Sequence, residues 1–434
     1  MTDKSVFSPR ILRPEDANQN WQWDRALASP GFKQVDFETR VDFQRLRKYR
    51  LSRAKNALKN SGLGALILFD VNNIRYITGT KIGEWERDKL CRFALLAGDE
   101  EPFVWDFGSA AVHHQLNCDW LDPNRCLAGM TGMRGTVPPS VGLMKSHAEE
   151  IMSYLKQAGV ADMPIGLDIA ETAMFFELQN AGMNIVDGQQ VMLDAREIKN
   201  IDEIPLLNQA ATMVDGVYHM IYEELKPGVR ENDIVALSNQ MLYEMGSDDV
   251  EAINAISGER CSPHPHNFTD RMFRPGDQAF FDILQSYQGY RTCYYRTFNV
   301  GTATSEQNDA YIQCREWLDK AIELIKPGVS TDVVAKAWPK AEEFGFESEM
   351  QAFGLQFGHG LGLALHERPI ISRLVSLENP MEIKTGMVFA LETYCPAKDG
   401  VSAARIEEEV VVTDQGCKVI SLFPADELPI ANRY

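Results

Sequence analysis

Five residues in the second half of the chain combine types and settings that suit catalysis: Asp282, His359, His366, Glu392 and Glu407. Asp282 closes the apolar run of RPGDQAFFD (274–282), and Glu392 closes that of KTGMVFALE (384–392). An acid ending a buried strand is costly unless it is paired or ligating. Glu407 lies in ARIEEEVVV, where alternation ahead of a valine run turns some of the acids inward. One such acid reads as the partner of an arginine, Arg296 or Arg405; three from separate strands point to a shared site. The histidines sit in the glycine-rich FGHGLGLALHERP (357–369), where glycine lets backbone approach a ligand closely. Such an acid–histidine set is suited to metal or to proton transfer.

Two further segments carry reactive side chains. SGERCSPHPHNF (257–268) puts His264 and His266 on a loop stiffened by Pro265. YQGYRTCYYRTF (287–298) reads as an aromatic hairpin whose alternation places Cys293 and Tyr295 on one face.

The elements that must position these residues show an internal repeat. EELKPGVREND (223–233) is echoed by IELIKPGVSTD (322–332), and RPGDQAFFD by KTGMVFALE, in the same order. Two halves related by a pseudo-twofold would bring Asp282 and Glu392 together near the centre. Upstream, residues 1–40 lack clear periodicity and read as an N-terminal arm. From Val41 a long amphipathic helix runs to Gly62, followed by the buried-type strand GALILFD (64–70) and a turn and second short strand in VNNIRYITGT. The expected organisation is an arm (1–40), an α/β domain (41–198) and a second, catalytic domain (199–434).

Hydrophobic residues make up 44% of the 434, charged residues 24%, and the formal net charge is -19. That is a globular composition whose field repels phosphate backbones and anionic lipid, which argues against nucleic-acid and membrane partners. Eight cysteines without a C-x-x-C pair, and an N-terminus with no apolar signal core, lead us to expect reduced thiols and a cytoplasmic location.

From about residue 200 to 425 the chain resembles the creatinase–prolidase–aminopeptidase P family, with its pita-bread fold. The likeness rests on SGERCSPHPH, RPGDQAFFD, GYRTCYYRTF, GHGLGLALHE, TGMVFALE and RIEEEVVVT in order. LFDVNNIRYITGT is similar to the ribonuclease-H-like first domain of many members. The resemblance implies an α+β protein with a creatinase-type N-terminal domain and a pita-bread domain of pseudo-twofold design. It also implies a homodimer in which one subunit's first domain covers the other's site. The family's metallopeptidases bind two divalent ions; the matching residues here are Asp282, His359, Glu392 and Glu407, while Cys293 stands where a bridging aspartate falls.

That departure makes a dinuclear site unexpected and favours no cofactor, with one divalent ion (Zn, Fe or Mn) as the alternative. The leading expectation is a creatinase-like hydrolase of a small polar C–N compound. His264 or His266 would move the proton, Glu392 would hold a substrate N–H or cation, and His359, His366 and Glu407 would orient it. Trp85, Arg87, Tyr290, Cys293, Tyr294 and Tyr295 are the expected substrate contacts. The alternatives are metal-dependent β-elimination of the dimethylsulfoniopropionate-lyase kind, Xaa-Pro peptidase activity, or an inactive small-molecule binder of the same fold.

Overall fold

The computed structural model describes residues 41–83, 91–129 and 132–433. The N-terminal arm, Trp85 and Arg87, on which expectations were placed, lie outside the described residues. The chain divides into two compact units between Arg196 and Glu197.

The first unit orders its elements as α1 (Phe43–Ser61), β1 (Ala65–Leu68), α2 (Val71–Thr78), β2 (Phe93–Ala97), β3 (Phe103–Phe107), α3 (Ser109–Asn117), β4 (Cys126–Gly129), α4 (Leu143–Gln157), β5 (Ile165–Leu167), α5 (Thr172–Asn180), β6 (Ile185–Asp187) and α6 (Gln189–Arg196). The strands form one mixed sheet in the order β4-β3-β2-β1-β5-β6. The expected second strand in VNNIRYITGT is instead α2. The Asp70 carboxylate accepts from the N–H groups of Asn72 and Asn73, and Gly79 closes the helix in the left-handed region. Ile74 and Ile77, three apart, share its buried face, so capping and helical period override the strand propensity of isoleucine and tyrosine.

The second unit begins with α7 (Glu203–Glu224) and α8 (Glu231–Glu244), followed by β7 (Asp249–Ser257), β8 (Gln278–Tyr287) and β9 (Tyr290–Val300). The pattern restarts with α9 (Ser305–Glu323) and α10 (Thr331–Ala335), then β10 (Phe357–Gly360), β11 (Glu367–Ile371), β12 (Val388–Pro396), β13 (Ala403–Val412), β14 (Cys417–Val419) and β15 (Ile430–Ala431). Two sheets result, β15-β9-β8-β7 and β11-β10-β12-β13-β14. Each helix pair covers its own core, one around Val217, Tyr218 and Phe281, the other around Leu318, Phe389 and Ile406.

The sequence repeat is a structural repeat down to individual hydrogen bonds. Gly228 N–H donates to Phe273 O at 3.0 Å, and Gly328 N–H to Ile383 O at 2.9 Å. Gly276 N–H donates to Val300 O at 2.8 Å, and Gly386 N–H to Val412 O at 3.0 Å. Both turn glycines have positive φ, +83° and +85°, which a side chain rarely adopts. Asp282 and Glu392 are therefore equivalent positions on equivalent strands. The sheets meet along β9 and β13, where the Thr297 hydroxyl donates to Arg405 O at 2.6 Å and accepts from Arg405 N–H at 2.8 Å.

Candidate active site

The acids and histidines converge where the two sheets of the second unit meet. On the first, Asp282 of β8 lies opposite Tyr295 of β9. Its Oδ2 accepts from Asn254 Nδ2 of β7 at 3.0 Å, and its Oδ1 accepts from Cys293 Sγ at 3.4 Å. On the second sheet Glu392 of β12 pairs with Glu407 of β13, and β10 brings His359 alongside. His359 Nε2 lies 3.5 Å from Glu392 Oε1 and 3.9 Å from Glu407 Oε1. The His366 ring sits 4.5 Å from that of His359.

Charge is distributed unevenly among these groups. Arg405 Nη2 donates to Glu392 Oε2, its guanidinium carbon lies 4.4 Å from the Tyr295 ring centroid, and it also donates to Gly354 O at 2.7 Å. Burial, the largest influence, favours the neutral acid, yet Arg405, His359 and His366 together outweigh it and hold the Glu392 carboxyl below its ordinary range. Asp282 is pushed up to about 6 by burial and then by Glu392. Burial, with Glu392 and Asp282 adding to it, drives Glu407 well above the carboxylate range. Both Glu407 oxygens and His359 Nε2 are buried and have no hydrogen-bond partner among the described residues. The Cys293 sulfur, a His359 ring nitrogen and a Glu407 oxygen lie within 4.8 Å of one another.

The loop histidines approach from a third side. The His264 and His266 rings are 4.6 Å apart, and His264 packs against Phe280 and Tyr394 at 5.5 Å from each. His264 is pushed down to about 3 by burial and then by Arg405; His266, the more exposed of the two, is lowered by the same two causes. His366 falls to about 4 through burial and His359.

Several expectations need correction. Tyr294 does not face the cluster: its hydroxyl donates to Asp215 Oδ1 at 2.5 Å and its ring packs on Tyr218 at 5.1 Å. Tyr290 spends its hydroxyl on Glu203 Oε1 at 2.9 Å. Neither encloses a substrate cation; of the three tyrosines of β9, Tyr295, on the opposite face, is the one that faces the site. The glycines of FGHGLG make room for protein rather than ligand. A Cβ at Gly360 would lie 2.2 Å from Arg368 O, and one at Gly362 would lie 2.4 Å from Glu367 Oε2. Glu367 itself is structural, accepting from Lys199 Nζ at 2.9 Å. All three acids of RIEEE are buried: Glu408 is tied to Arg296 and Arg315, and Glu409 Oε1 accepts from Cys293 N–H at 2.7 Å and the Thr292 hydroxyl at 2.8 Å. Asn254, Tyr394 and Glu409 escaped the sequence reading. Only Glu409 carried a signal, as the third acid of a run inside a strand.

Fold and site together define a protein of two compact units whose second unit holds a buried acid–histidine centre on a pseudo-symmetric pair of sheets. Residues 205–414 match metallopeptidase family M24, and residues 50–198 match the creatinase/prolidase N-terminal domain. A probable dipeptidase PepE of Mycobacterium bovis is 27% identical over 387 residues, covering 86% of this chain and 94% of that protein. The dimethylsulfoniopropionate lyase DddP of Roseovarius nubinhibens is 24% identical over 398 residues, covering 89% and 87%. The crystal structure of dipeptidase PepE from Mycobacterium ulcerans superposes with a TM-score of 0.71 at 23% identity, over 91% of this chain and 100% of that one. The chain belongs to the creatinase–prolidase–aminopeptidase P family, M24, and with it to the hydrolases that act on C–N bonds. Among the described residues no helix is long and apolar enough to cross a membrane.

Proposed function

We propose that this chain hydrolyses a C–N bond in a small amide or dipeptide, with one divalent ion held beside Glu407. One observation carries the reading. Glu407 is fully buried, both of its oxygens lack a hydrogen-bond partner, and His359 Nε2 and Cys293 Sγ face it. A buried carboxylate left in this way is expensive unless a cation sits against it. Arg405 donates to Glu392 and to Gly354 O, not to Glu407, and its charge offsets only part of what burial and the neighbouring acids impose on Glu407. The preference for a metal-free, creatinase-like site rested on the lost aspartate at 293, and the donors around Cys293 favour the alternative.

A bound divalent ion would polarise the scissile carbonyl and acidify the attacking water. The chain's own residues do the rest. Arg405 keeps Glu392 ionised, so Glu392 can accept from a substrate N–H. His266, held below its ordinary pKa by burial and Arg405, is neutral at pH 7 and can take and return a proton. His264, packed more tightly, holds His266 and the Tyr295 side in place. The dipeptidase names of the relatives make a dipeptide the first substrate to try, and the homodimer implied by the resemblance accompanies this reading.

The test is elemental analysis of the purified protein, with turnover of dipeptides, small amides and dimethylsulfoniopropionate measured before and after chelation. Bound metal and activity lost on chelation, then restored by metal, are expected. Full turnover by chelated, metal-free protein would return the assignment to a metal-free hydrolase. Turnover of dimethylsulfoniopropionate alone would replace hydrolysis with β-elimination.

A further inference from the structure

We infer that Cys293 is itself a ligand, binding as a thiolate, and that the site takes one borderline ion such as Zn2+ or Co2+ in preference to Mn2+ or Mg2+. The inference rests on the metal reading proposed above.

Cys293 is 5% exposed, but its surroundings are not those of an ordinary core thiol. Cys261 gives its sulfur to Gln278 O at 3.3 Å, and Cys314 meets the Thr393 hydroxyl at 3.2 Å. The Cys293 sulfur instead points at the Asp282 carboxylate, with Glu407 and His359 as its other polar neighbours. Strand register fixes that direction. Cys293 lies opposite Leu284, and its N–H is held by Glu409, which locks the residue's orientation on β9.

The span is right for one ion. Donor atoms around a single tetrahedral ion, at about 2.0 to 2.3 Å from it, lie roughly 3.3 to 3.8 Å apart. The sulfur, nitrogen and oxygen here lie within 4.8 Å of one another, a difference that side-chain rotation closes. Asp282 Oδ1, 3.4 Å from the sulfur, is a candidate fourth donor. A thiolate offers one donor atom where a carboxylate offers two, so Cys293 cannot bridge ions as an aspartate does through separate oxygens. Sulfur also changes the preference: thiolate suits Zn2+ and its neighbours, whereas oxygen ligands suit Mn2+ and Mg2+.

The experiment uses full-length protein stripped of metal and titrated with Co2+. Wild type should bind one Co2+ per chain and develop a near-ultraviolet sulfur-to-cobalt charge-transfer band. Cys293→Ser, nearly isosteric, should lose the band and bind Co2+ at least about tenfold more weakly. Cys293→Asp should shift the ratio of Mn2+ to Zn2+ affinity toward Mn2+, again by at least about tenfold. Stoichiometric Co2+ without the band, or a band that persists in Cys293→Ser, would overturn the thiolate assignment while leaving the metal reading intact. Retention of no ion by wild type or by Cys293→Asp would overturn the metal reading and this inference with it.

Discussion

Glu409→Gln should stabilise the metal-free protein, and only at high pH. Burial pushes the Glu409 carboxyl from 4.5 up to about 8, against the lowering effect of the Cys293 N–H and the Thr292 hydroxyl. The folded state therefore keeps a proton that the unfolded chain has already released. With fewer protons bound in the unfolded state, stability falls as pH rises, starting above 4.5 and complete near 8. Three and a half units correspond to a ceiling of about 5 kcal/mol, and local relaxation brings the expected loss to about 3 kcal/mol. Glutamine keeps the acceptor oxygen for Thr292 and Cys293. Its amide N–H2 faces the same unpartnered space as the acid's O–H, since Oε2 has no partner. At about pH 5 the two proteins should thus melt within roughly 2 °C of each other. At about pH 9 the variant should melt roughly 6–12 °C higher, at about 2–4 °C per kcal/mol for a unit of this size. Calorimetry on chelated protein at the two pH values reads the effect directly. A stability difference that does not change with pH would refute the reasoning, as would a variant less stable at both.

Four further substitutions probe the site and its supports. His266→Asn should cost about 10²–10⁴ in kcat with little change in melting temperature, whereas His264→Asn, in the packed position, should lower stability more than kcat; steady-state kinetics beside thermal melts separate them. Wild-type kcat/KM should also fall on the acid side as His266 takes up its proton. Gly360→Ala should destabilise by at least about 3 kcal/mol because its Cβ meets the Arg368 carbonyl at 2.2 Å. Gly276→Ala, with open space around it and only a positive φ to resist, should cost roughly 1 kcal/mol. Denaturant midpoints of the two variants check that order.

Why the site location was legible, while the direction of individual side chains was not, follows from what repeats. The turn glycine, apolar strand and terminal acid recur because each half must bury the same strand, so the equivalence of Asp282 and Glu392 is written in composition. Their fates diverge for a reason that lies outside either strand. Glu392 meets Arg405 from β13, Asp282 meets Asn254 from β7, and neither pairing has a local signature. Alternation correctly put Cys293 and Tyr295 on one face. It could not say that the other face, with Tyr294, is buried as well, because period two distinguishes faces and not environments. The same limit hid Glu409. In a strand covered on both sides every position is interior, so three consecutive acids are all buried. Each is then decided by its partner: Glu408 finds two arginines, Glu409 finds a backbone N–H and a hydroxyl, and Glu407 finds none. The acid left without a hydrogen-bond partner among the described residues is the one beside the cysteine and the histidine, which is why this gap in the polar pairing, more than any motif, is the ground on which we propose a cation there.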